Sequence, residues 1–130
     1  MGVVEALEQS MAKGTTQAKV TLYEVVQPLL NAMYDEFKEL SKKKPDGVLS
    51  EAKIDVVNRL LQSCREILAN EPSLQFLDLI DKDAVPQYSD VVLLLSQYSA
   101  AMKAFHTTYY RWNGFEHAWV ISEAPPRSKK

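Results

Sequence analysis

The most constraining feature of this sequence is an apolar pattern with a helical period in residues 51–69. Apolar side chains recur there at intervals of three or four residues, which places them on one face of an α-helix. These are Ile54, Val57, Leu61, Cys64 and Leu68, with Val56, Leu60 and Ile67 widening the stripe. Ser50 is the predicted N-cap of this helix, and Asn70 and Pro72 are expected to end it.

The same period predicts two further long helices. The first runs from Thr16 to about Lys43, and the last runs from about Tyr88 or Ser89 to Trp112, with Gly114 as its stop. Pro28 is expected to kink or break the first helix near Val26, because proline lacks the amide hydrogen and its ring clashes with the preceding turn. The two stripes are Leu22, Val26, Leu29, Met33, Phe37 and Leu40, and Val91, Leu94, Tyr98, Met102, Phe105 and Tyr109.

Shorter elements complete the predicted fold. Residues 3–13 predict a short opening helix, and residues 73–80 fit a short helix or a strand, with helix favoured by the neighbouring elements. Residues 118–122 are the one other candidate strand. We therefore expect an all-α protein: an antiparallel bundle of three to four main helices with a short inserted helix. Residues 1–123 would form a single helical domain, and residues 124–130 a flexible basic tail.

The composition of the chain argues against several classes of function. The net charge of −2 argues against a general polyanion binder, and no apolar run approaches the length of a membrane span. The first ten residues carry Glu5 and Glu8 and lack the basic start of a secretory signal. A single cysteine, Cys64, excludes an internal disulfide and a cysteine-based zinc cage. We expect a cytoplasmic protein without a cofactor, a bound metal or a membrane partner.

The residues that could act in catalysis are explained more simply by structural roles. Cys64 lies on the apolar stripe of its helix, where burial would raise the thiol pKa and make it inert. Asp35 and Glu39 stand at helical spacing from Lys38 and Lys42, which predicts surface ion pairs. The metal candidates fail as well. Asp81 and Asp83 open a calcium-like loop that lacks its later ligands, and His106 and His117 lie eleven residues apart across a helix end.

Aromatic residues concentrate near the end of the last predicted helix. Seven of the twelve aromatic side chains fall between Tyr98 and Trp119, more than one helix face can bury. Aromatic residues together with arginine are typical of protein interfaces. We therefore predict a binding surface made of Tyr98, Tyr109, Tyr110, Arg111, Trp112, Phe115 and Trp119.

Arg111 and His117 within this cluster form an R-x5-H string. The string resembles the R-x4-6-H signature of the HEPN superfamily, small all-helical proteins that include metal-independent ribonucleases. The resemblance implies that Arg111 would hold a phosphate and His117 would take part in proton transfer. Trp112 stands where that family usually has a polar residue, and Gly114 splits the string.

Three functions follow from these observations. The first is a noncatalytic helical protein-interaction module that self-associates, for example as a homodimer, or binds a protein partner. The alternative is a HEPN-like metal-independent ribonuclease or toxin using Arg111 and His117, and nucleic acid is expected as a partner only in that case. The third is a small-ligand pocket lined by Tyr98, Tyr109 and Trp112.

Overall fold

The computed structural model describes residues 14–122. This part of the chain is mostly helical, as expected for an all-α protein, and it adds a small two-stranded sheet. The elements are helices α1 (Gln17–Lys43), α2 (Glu51–Ile67) and α3 (Tyr88–Tyr109), and strands β1 (Tyr110–Trp112) and β2 (His117–Trp119). The predicted opening helix at 3–13 and the predicted tail at 124–130 lie outside the described residues.

Side-chain caps start the first two helices. The Thr16 hydroxyl accepts a hydrogen bond from the Lys19 amide at 3.2 Å, and the predicted cap Ser50 does the same for the Lys53 amide. Each cap satisfies one amide that has no partner inside the helix. The predicted break near Val26 does not occur, because α1 continues through Pro28. Buried Val26 and Leu30 flank the proline, and their packing offsets its missing hydrogen bond.

The core lies where the three helices meet. All five residues of the predicted α2 stripe are buried, and Ile67 joins them. Helix α3 follows its predicted stripe closely, with Leu95 fully buried and Leu94 only partly buried. Helix α1 packs against both other helices and supplies Leu30 and Phe37 to the core.

The short helix predicted at 73–80 is present only in part, as a 3-10 helix in the segment between α2 and α3. A 3-10 turn covers Pro72–Phe76, the next residues are extended, and a second 3-10 turn follows at Lys82–Ala84. Helical side chains take up the backbone groups of the extended part. The side-chain oxygen of Asn58 accepts a hydrogen bond from the Ile80 N–H at 2.8 Å, and its side-chain nitrogen donates to the Ile80 carbonyl at 2.9 Å. The Tyr98 hydroxyl donates to the Asp78 carbonyl at 2.8 Å. These side chains replace the hydrogen bonds that a helix would have made internally.

Helix α3 ends at Tyr109, three residues before its predicted end at Trp112, and an antiparallel hairpin follows. The side-chain oxygen of Asn113 accepts hydrogen bonds from the backbone amides of Phe115 and Glu116. Gly114 adopts a φ of +103°. Asn-Gly therefore closes a hairpin loop here and does not stop a helix. Of the strand expected at 118–122, Ala118 and Trp119 lie in β2, and Ile121 forms an isolated bridge with Thr15.

Asn58 provides a test of how the α2–α3 connection is held. We predict that Asn58→Ala lowers the free energy of unfolding by about 2 kcal/mol, because it leaves two partly buried backbone groups of Ile80 without their partner. Chemical denaturation measures this loss. The control is Asn31→Ala, since exposed Asn31 bonds only to the Gln27 side chain on the same helix. Equal stability losses in the two variants would contradict this account of the connection.

Candidate functional site

An open apolar groove runs between α1 and α2. Its volume is about 710 Å³, within the range of protein binding sites. None of its lining residues comes from α3 or from the hairpin. The α1 wall consists of Leu22, Val25, Val26, Leu29, Ala32, Met33, Glu36, Phe37 and Leu40, and the α2 wall of Lys53, Val56, Val57, Arg59, Leu60 and Ser63.

The α1 wall contains all six residues of the apolar stripe predicted for this helix. Only Val26 and Phe37 of those six residues are buried. Leu22, Met33 and Leu40 are partly buried, and Leu29 is 53% exposed. The predicted stripe therefore packs against the core for most of its length, and Leu29 is its solvent-exposed member. A second apolar side of α1, with Leu30 fully buried, faces the core.

Large aliphatic side chains remain in contact with solvent on both walls. On α1, Val25 is 60% exposed and lies four residues before exposed Leu29. On α2, Val56 is 47% exposed. Single exposed apolar residues are common on protein surfaces, but neighbouring ones that line a concave surface are typical of interaction sites.

The two walls of the groove carry charged residues of opposite sign. Glu36 lies on the α1 wall, while Lys53 and Arg59 lie on the α2 wall. The ion pairs among residues 14–122 are Asp35–Lys38, Glu39–Lys42 and Asp55–Lys82, and none of them involves the groove charges. The two pairs on α1 agree with the predicted surface ion pairs.

The predicted aromatic surface divides between the core and the hairpin. Tyr98 and Tyr109 are buried in the core and are therefore not accessible to a partner. Trp119 packs on Tyr23 of α1, with ring centroids 5.2 Å apart. Trp112 and Phe115 remain 60% and 89% exposed. The accessible part of the predicted surface is therefore concentrated at the hairpin and its loop.

The hairpin register separates Arg111 from His117. Trp112 pairs with His117 and Tyr110 with Trp119, so these four side chains share one face of the ribbon. Their rings are in contact, for example Trp112 and His117 at 5.5 Å. Arg111 pairs with Ala118 and points to the opposite face. The two residues of the R-x5-H string therefore do not converge on one substrate atom.

Other reactive groups are placed away from solvent or apart from one another. Burial raises the pKa of the Cys64 thiol to about 12, so the thiolate needed for nucleophilic attack is suppressed. Among residues 14–122, no three histidine, cysteine or carboxylate side chains are grouped to hold a metal. The same residues contain no helix long and apolar enough to span a membrane.

Comparisons with protein-family models, curated proteins and solved structures found no match to this chain.

Glu71 is a partly buried carboxylate that packs against α3. Its side chain accepts a hydrogen bond from the Tyr109 hydroxyl at 2.8 Å. Burial raises the pKa of Glu71, and this effect exceeds the opposing effects of the Tyr109 hydrogen bond and of nearby Lys19. The folded state therefore holds the proton more tightly than the unfolded chain does, so ionisation of Glu71 destabilises the fold.

We predict that Glu71→Gln removes this pH dependence. The raised pKa means that the stability contributed by protonated Glu71 is present at low pH and is lost as the pH rises through the folded-state value. As the pH rises from about 4 to about 8, the unfolding free energy of the wild type should therefore fall relative to that of the variant. Glu66→Gln removes an equal charge from an exposed position and is the control. The opposite slope, with the wild type gaining relative stability as pH rises, would contradict the assignment.

Proposed function

We propose that this chain is a noncatalytic protein-interaction module and that the α1–α2 groove is its docking surface. The observation that carries the proposal is the set of exposed aliphatic side chains, Val25, Leu29 and Val56, that line a concave surface between two helices. Burying the exposed half of one such side chain contributes roughly 1 kcal/mol, so several together can hold another polypeptide.

The shape and chemistry of the groove suit an apolar helix face. Grooves between two helices commonly accept a third helix through apolar side chains at helical spacing. The apolar side chains of the groove would supply most of the binding energy. The charges on its two walls would select the orientation of the bound chain. Trp112 and Phe115 form a smaller exposed patch, which extends the interaction surface to the hairpin.

The ribonuclease alternative has less support. It requires Arg111 and His117 to act on the same phosphate, and the hairpin register directs the two side chains to opposite faces. The small-ligand alternative requires access to Tyr98 and Tyr109, which are both buried.

Site-specific photo-crosslinking tests the proposed docking surface. We predict that a benzophenone amino acid at Leu29 forms a covalent adduct with a polypeptide when the protein is illuminated in its native cells. The matched control is the same amino acid at Leu93, a leucine of α3 that is 64% exposed and lies outside the groove. Exposure is similar at the two positions, so a difference in crosslinking reports on the groove. Failure of position 29 to crosslink above the level of position 93 would contradict the proposal.

A further inference from the structure

The occupant of the groove can be inferred from the charges on its two walls. We infer that it is a second copy of this chain, bound groove to groove about a two-fold axis that runs along the helices. This inference rests on the proposed function, because it names the partner of the same docking surface. Two-fold pairs are the commonest arrangement of identical chains, and each copy then contributes the same surface.

A second copy carries the complementary charges that the two walls of the groove require. A two-fold axis along the groove places α1 of one copy against α2 of the other. Glu36 of each copy would then face the wall that carries Lys53 and Arg59 in its partner. A partner whose docking face carried charges of one sign would meet a like charge on one of the two walls, which is unfavourable.

Apolar spacing on the two walls is also compatible with a four-helix arrangement. On α1, Leu22, Val25, Leu29 and Ala32 follow one another at intervals of three and four residues. On α2, Val56, Leu60 and Ser63 do the same. This spacing allows the side chains of facing helices to interlock along a shared seam. The small side chains of Ala32 and Ser63 leave room for a facing helix to approach.

Charge reversal tests the pairing on purified protein. We expect the wild type to sediment as a dimer, and Glu36→Lys alone to weaken the dimer by about 10-fold or more, because it places a cation against Lys53 and Arg59. The double variant Lys53→Glu and Arg59→Glu should weaken it similarly, because two carboxylates then face Glu36. All three residues are exposed, so circular dichroism should show folded variants.

Mixing the two charge-reversed proteins is the decisive arm. In a mixed dimer, the introduced lysine faces two introduced glutamates, and native Glu36 faces native Lys53 and Arg59. Sedimentation velocity of the equimolar mixture should therefore recover wild-type dimer strength. A mixture that stays as weak as its separate components would overturn the pairing. A wild type that stays monomeric up to about 100 µM would overturn it as well.

Apolar disruption provides an independent second variant. Leu29→Glu places a carboxylate in the centre of the proposed seam and should weaken the dimer by about 100-fold or more. Leu93→Glu makes the same change at an exposed position outside the groove and should leave the dimer intact. Equal dimer strength in the two variants would contradict the inference.

The photo-crosslink at Leu29 separates failure of this inference from failure of the proposed function. An adduct at twice the mass of the chain supports a second copy. An adduct with a different polypeptide, together with a monomeric wild type, overturns the second copy and leaves the docking surface standing. Absence of any adduct above the Leu93 control removes both.

Discussion

Helix α1 carries more apolar surface than the other two helices cover, and the rest of the molecule depends on how that surface is divided. One side of α1, with Leu30, closes the core against α2 and α3. The other side, with Leu29, remains open and forms one wall of the groove. Since α2 adds Val56 to the facing wall, the two helices present a continuous apolar strip to solvent. Covering that strip would remove apolar surface from water, and both helices that carry it are already folded.

Local periodicity was sufficient to predict the three long helices. The α2 stripe, including Cys64, is buried as predicted, and the Ser50 cap begins its helix. These features depend on neighbours in the sequence, which a short window contains. The continuity of α1 through Pro28 could not be predicted in this way, because it depends on tertiary packing. The extended chain around Ile80 is also tertiary, because its hydrogen-bond partner, Asn58, lies 22 residues away.

The candidate site was harder to predict because periodicity identifies an apolar face without identifying what covers it. Leu29 belongs to the stripe predicted for α1, and its spacing in the sequence does not show that it stays exposed. The hairpin had a local signal in Asn113 and Gly114, a pair that is typical of hairpin loops as well as of helix ends. Once the strands pair, Arg111 and His117 diverge, which their spacing in the sequence did not reveal.

The most direct test of this account is the solvent accessibility of individual methyl groups at two protein concentrations. A soluble paramagnetic agent broadens the NMR signals of exposed leucine and valine methyls. At low concentration, Leu29, Val56 and the control Leu93 should all be broadened, because all three are exposed in a single chain. At high concentration, Leu29 and Val56 should become protected while Leu93 stays accessible. Equal broadening of Leu29 at both concentrations would contradict the claim that a second copy covers the open side of α1.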